Sequence, residues 1–155
     1  MDDFTRNTVA SFLGSMKSSV EIAATLASHN RDDSTVTKVD MVAGLIYRLM
    51  VPMKDDEVVA YAASGSDLLA EIEMDEGDAS DEDCFEATAA DGCSSVDDDA
   101  LLDISRYPCN CEVCSAMRVA ILNFPTYEAT DGYTQIMLNA IHKTCAEHGV
   151  VIGSK

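Results

Sequence analysis

Cys109-Asn110-Cys111-Glu112-Val113-Cys114 gathers three thiols within six residues, and further along the chain His142, Cys145 and His148 follow one another at steps of three. Thiolates and imidazoles hold a divalent cation when their donor atoms converge on a tetrahedron with metal–sulfur distances of about 2.3 Å, which a cysteine-rich turn plus one helical side chain can supply. The expectation is one zinc ion bound by Cys109, Cys111 and Cys114, with Cys145 or His142 as fourth ligand, joining the last two helices. A competing reading makes Cys114 and Cys145 ordinary small buried residues, since a free cysteine packs as a hydrophobe, and leaves Cys109 and Cys111 in a loop. A third pairs Cys114, at a helix N-terminus that favours its thiolate, with His142 or His148 as base. The sequence supplies no third group or oxyanion site for that chemistry.

The second constellation is one of charge. Between Asp55 and Asp103 stand 18 of the chain's 28 acids and none of its 10 lysines and arginines, so the formal charge of -18 arises wholly in this middle stretch. Such segregation points to a cationic target, and Asp75, Glu76, Asp78, Asp81, Glu82, Asp83, Asp97, Asp98 and Asp99 are the residues expected to meet a basic protein; a solvated loop that aids solubility is the plainer alternative. Direct nucleic-acid binding is disfavoured because a surface this negative repels phosphates and has no basic cluster to release counterions. Anionic membrane surfaces are disfavoured for the same reason. Asp75 and Glu86 stand at the first and twelfth positions of a would-be calcium loop with Asp83 at the ninth, but Gly77, Ala79 and Ser80 occupy positions that need two oxygen ligands and a glycine, so the match fails. Thr88, Ser80, Ser94 and Ser95 lie among acids and are candidate phosphate acceptors.

These groups have to be carried by helices. Val9, Phe12, Leu13, Met16, Val20, Ala23, Ala24 and Ala27 recur at spacings of three and four, predicting a helix from about Thr5 to Ser28 capped by Asp2, Asp3 or Thr5. His29 to Ser34 is a polar knot expected to be a loop. Thr37 and Asp40 form a capping-box pattern ahead of Val39, Val42, Ala43, Ile46, Leu49 and Met50, with Pro52 closing the helix. Asp55-Asp56-Glu57 opens a third helix, which Ser64-Gly65-Ser66 is expected to interrupt before Leu68, Leu69 and Ile72. From Asp75 to Asp91 the periodicity stops, and so few apolar residues cannot offset the entropy of ordering. A short helix capped by Ser95 or Asp97 is expected through Leu101, Leu102 and Ile104, ended by Pro108. Met117 to Phe124 then reads as a helix apolar on nearly every side and therefore central, stopped by Pro125. The last helix is capped by Thr130 or Asp131, turns Ile136, Met137, Ala140, Ile141 and Cys145 inward, and ends at Gly149. Val58 to Ala63 and Val150 to Ile152 are open to a short-strand reading.

The sum is an all-α fold: a bundle of five or six helices with a long acidic, partly disordered loop. The expected divisions are residues 1–74, the loop at 75–94, and 95–155 as the second half of the same single domain. No apolar run approaches a membrane span and Met1-Asp2-Asp3 lacks a signal-peptide pattern, so the chain reads as soluble and intracellular, in cytoplasm or nucleus, with thiols kept reduced.

The opening MDDFTRNTVASFLGSMKSSVEIAATL, together with the 155-residue length and the acidic middle, resembles the small immediate-early proteins of iridoviruses. That resemblance implies a non-catalytic protein made early in infection and acting in the host cytoplasm or nucleus; it transfers no site residue. The functional expectation is a non-enzymatic regulatory or adaptor protein that engages a basic partner through its acidic centre. The alternatives are a structural or virion-assembly component, in which the stripes of Phe12 and Ile121 form a subunit interface, and a zinc- or thiol-dependent enzyme.

Overall fold

Asp2 starts the first helix: its carboxylate accepts the Thr5 N–H at 2.7 Å, satisfying one of the donors a helix N-terminus leaves free. From there α1 runs over Asp3–Asn30 without a break. The computed structural model describes residues 1–32, 35–75 and 100–153. Over these the fold is all-α, with α2 at Lys38–Met50, α3 at Asp55–Asp75, α4 at Glu112–Asn123 and α5 at Gly132–His148. Short 3-10 turns lie at Ile104–Arg106 and Phe124–Thr126, and two two-residue strands, β1 (Leu101–Leu102) and β2 (Val151–Ile152), pair in parallel with Leu101 opposite Val151.

The chain divides into two compact units, Met1–Lys17 with the segment that begins at Asp55, and Ser18–Lys54 with the segment that begins at Asp97. In the first unit the start of α1 packs on α3. Two glycines permit this. A Cβ on Gly65 would sit 1.8 Å from the Ala10 carbonyl oxygen, and one on Gly14 would sit 2.2 Å from that of Tyr61, so the two backbones approach at distances no side chain allows. The predicted interruption at Ser64-Gly65-Ser66 is therefore overturned: α3 is continuous there, and Gly65 is a contact point rather than a break. Val58 to Ala63 is helical as well. Arg6 pairs with Glu73 at 2.8 Å, and Lys17 donates to the Ser64 hydroxyl at 3.3 Å.

The second unit holds the principal core, built from Leu26 of α1, Val39, Val42, Ile46 and Tyr47 of α2, Met117 and Ile121 of α4, and Ile141 of α5, with Leu102, Tyr107 and Val150 closing it. The local signals expected from sequence act here. Thr37 and Asp40 form their capping box, Asp131 rather than Thr130 caps α5, where Thr134 completes a second box that was not expected, and Gly149 takes the left-handed conformation (φ 67°) that ends α5. Lys38 Nζ donates to the carbonyl of His148 at 2.9 Å, meeting an unpaired oxygen at that same helix end.

Several expectations about individual segments are overturned. Leu101 to Ile104 is a strand followed by a 3-10 turn, because Leu102 pairs with the chain's end instead of a helix neighbour, and Asp103 caps the turn through Ser105 N–H. Helix α4 is central on one face only, with Val119 and Leu122 exposed, while Ile121 is wholly buried and is no interface residue. Ile136 and Ala140 on α5, and Val20 and Ala24 on α1, face outward.

Buried Asp40 does more than cap α2. Its Oδ1 accepts from Tyr107 Oη at 2.8 Å, from Arg31 Nη1 at 3.3 Å and from Arg106 Nε at 3.5 Å; its Oδ2 accepts from Thr37 N–H at 3.0 Å and from Arg31 Nη2. Burial alone raises its pKa, but the donors, led by Arg31, outweigh that and hold the carboxyl below the usual value. The end of α1, the start of α2 and the turn at Ile104–Arg106 thus meet on one carboxylate.

Candidate metal centre

The turn that ends α4 at its N-terminal side is made by Cys111 itself. Its backbone is extended (φ -69°, ψ 165°), and its Sγ accepts the Cys114 N–H at 3.4 Å, replacing the hydroxyl that usually caps a helix. A sulfur in that position lies against the positive end of the α4 dipole, which favours thiolate. One turn on, Cys114 points inward and is fully buried, while Cys109 and Cys111 are half-exposed.

The fourth group comes from the far end of α1. His29 Nδ1 lies 3.2 Å from Cys111 Sγ and 3.9 Å from Cys114 Sγ, and the donor atoms of His29, Cys109, Cys111 and Cys114 all lie within 4.8 Å of one another. For a tetrahedral site of three sulfurs and one nitrogen, metal–ligand distances of about 2.3 and 2.05 Å give donor separations of about 3.6–3.8 Å. The two N···S distances from His29 bracket that value, and no pair of the four donors stands more than 4.8 Å apart. The group is one that could hold a metal ion.

This corrects the fourth ligand. Neither Cys145 nor His142 joins the cluster. Cys145 packs against the core, where burial raises its thiol pKa, and its carbonyl accepts the Val150 N–H at 2.9 Å at the end of α5. His142 sits against the Phe124 ring with centroids 5.5 Å apart. Both belong to the packing of α5. His148 is likewise elsewhere, its carbonyl engaged by Lys38.

His29 was missed because the polar run from His29 onward reads as loop, whereas α1 continues through Asn30. A usable signal was present. His29 and Asn30 stand three and four residues after Leu26, the spacing at which side chains share one helix face, so two polar residues sit beside an apolar one where they need partners. Asn30 finds them: its Nδ2 donates to Cys114 Sγ at 3.3 Å, and its Oδ1 accepts the Cys109 N–H at 3.0 Å.

The three thiols differ. The Cys114 N–H, and beyond it His29 and the neighbouring thiols, lower the Cys111 pKa to about 6. Burial pushes Cys114 up to about 12, despite the Asn30 donor. A divalent cation in their midst would favour thiolate at each.

Of the acids expected to meet a partner, Asp75 ends α3 and is exposed. Glu76, Asp78, Asp81, Glu82, Asp83, Asp97, Asp98 and Asp99 lie outside the described residues, as do Ser80, Thr88, Ser94, Ser95 and the failed calcium-loop pattern beyond Asp75. Among the described residues no helix is long and apolar enough to cross a membrane. Compared with known protein families, curated proteins and solved structures, the chain matches none.

Proposed function

We propose that this is a non-enzymatic regulatory or adaptor protein whose second unit is fastened by one zinc ion on His29, Cys109, Cys111 and Cys114, and which engages a basic partner through its acidic centre. The observation that carries the metal reading is the convergence of four donors, one contributed from more than 80 residues away, on a site of tetrahedral size. A closed set of four protein ligands is the pattern of a structural zinc, leaving no open position for substrate. The partner reading is supported by the charge pattern. Helix α3 has no basic residue, and Asp55, Asp56, Asp67 and Glu71 lie exposed along it. The likeness to iridovirus immediate-early proteins agrees with a role of this kind.

A second reading, thiol chemistry, is favoured by the Cys111–His29 contact at a helix N-terminus. It would act through Cys111 and not Cys114, whose buried, raised thiol is the opposite of a poised nucleophile. Metal analysis separates the two. Protein purified without a histidine tag should carry about one zinc per chain by mass spectrometry; His29→Ala should lose it, while His142→Ala and Cys145→Ala keep it. Metal-free wild-type protein, or equal loss from Cys145→Ala, would refute the assignment. The partner reading predicts capture of basic proteins that weakens as salt rises and fails for a chain lacking residues 75–94; capture indifferent to salt would count against it.

A further inference from the structure

Beneath the cysteines lies a residue that the ligand set alone does not explain. Arg118 stands four residues after Cys114 and seven after Cys111, so it projects from the same face of α4 as both. Its guanidinium turns back along the helix and grips the preceding turn. Nη1 donates to the carbonyl oxygens of Tyr107 at 2.5 Å and Cys109 at 2.6 Å, and Nη2 donates to Asn110 Oδ1 at 3.4 Å and Ser115 Oγ at 3.2 Å. The acceptors lie before and after Cys111 in sequence, so one side chain joins the cysteine-bearing turn to the first turn of α4.

What the grip omits is equally telling. Arg6, Arg31 and Arg106 each pair with a carboxylate, whereas Arg118, half-buried, has no ion pair with a carboxylate among the described residues. Its positive charge is held beside Cys109, and no described carboxylate pairs with it. A divalent cation bound by three thiolates and one neutral imidazole carries one net negative charge, and such a charge is stabilised by a fixed cation nearby.

We propose that Arg118 is the positioning residue of the metal centre: its two-pronged donation holds the Cys109–Cys111 turn in ligand geometry, and its charge balances a site of three thiolates and one imidazole. Arginine suits both tasks, because one terminal nitrogen meets the two carbonyls while the other takes the Asn110 and Ser115 side chains, and the group stays charged at any relevant pH. Asn30 plays the complementary part from α1, tying Cys109 N–H to Cys114 Sγ. This assignment rests on the metal reading and goes beyond it. The turn is held by protein hydrogen bonds and not by the cation alone, so the donors are pre-arranged for it.

The test is titration of cobalt(II) into metal-free wild type, Arg118→Met and Arg118→Lys, followed by the sulfur-to-cobalt charge-transfer and ligand-field bands, with zinc competed against a chromophoric chelator. Removing a group that orients metal ligands costs about 10–100-fold in affinity. Arg118→Met should lose that much and show weakened ligand-field bands as water enters a distorted site. Arg118→Lys keeps the charge without the fork and should recover part of the affinity. Arg118→Met with wild-type affinity and spectrum would overturn the assignment. Should that variant fail to fold by circular dichroism, Arg118→Lys decides, because wild-type affinity there would show that the fork contributes nothing. A wild-type protein giving no charge-transfer band would overturn the metal reading itself, an outcome distinct from binding that is unaffected by substitutions at Arg118.

Discussion

Asp40→Asn is a nearly isosteric change that should cost the second unit far more than its size suggests. The two carboxylate oxygens accept from Arg31, Arg106, Tyr107 and Thr37, and the Asp40 side chain is fully buried. An amide keeps one acceptor and turns an NH2 group toward donors, leaving Thr37 N–H or an arginine facing another donor. The two arginines, with side chains only 26% and 14% exposed, lose their counter-charge as well. Removing one partner of a buried pair typically costs about 3–5 kcal/mol. In a unit of about a hundred residues even 3 kcal/mol corresponds to roughly 12–24 °C in Tm. Calorimetry, or urea unfolding followed by the near-ultraviolet signal of the tyrosines, would measure it. The effect also has a pH signature. The folded carboxyl is held below its ordinary value, so the stability it contributes is fully present above the unfolded value near pH 4 and is lost as pH falls through the folded pKa. The gap between wild type and Asp40→Asn should therefore be constant at neutral pH and narrow only on acidification below about 4. A Tm change under about 4 °C at pH 7, corresponding to about 1 kcal/mol or less, would refute the account of Asp40 as the junction of α1, α2 and the turn before the cysteines.

Gly65→Ala should open the α1–α3 contact and destabilise the first unit by several kcal/mol, since its Cβ would fall 1.8 Å from a backbone oxygen. Gly132→Ala, with nothing within 4 Å, should be neutral or stabilise α5 by up to about 1 kcal/mol; reversed effects in thermal denaturation would contradict the packing described. In metal-free protein iodoacetamide should label Cys111 ahead of Cys114, at a rate that rises as pH passes through about 6 and the thiolate forms, with Cys114 unreactive near neutrality; mass mapping showing Cys114 labelled before Cys111 would reverse that order. Adding zinc should protect Cys109, Cys111 and Cys114 together and leave Cys145 unchanged.

The helices were largely legible in the residues because the interactions that start and stop a helix span three or four positions. Asp2, the Thr37–Asp40 box, Asp131 and Gly149 each act on their own neighbours, and each appears in the structure at the place its type implies. The three thiols of the candidate site were legible for the same reason, since six consecutive residues keep them near one another whatever the rest of the chain does. The acidic middle is a matter of composition, and Glu73, drawn to Arg6, shows that one of its members is already engaged within the first unit.

What the residues could not disclose is which distant segments would meet. His29 reaches Cys111 across 82 positions, Tyr107 reaches Asp40 across 67, and Gly65 is invisible as a contact until Ala10 lies against it. Cys145 and His142 were equally plausible ligands by chemistry and nearer in sequence. They were removed from the site because the face of α5 that carries them packs elsewhere. Donor chemistry is a property of single side chains and local spacing, whereas ligand choice depends on which helix end reaches the turn, and that follows from burying Leu26, Tyr107 and Met117 in a common core.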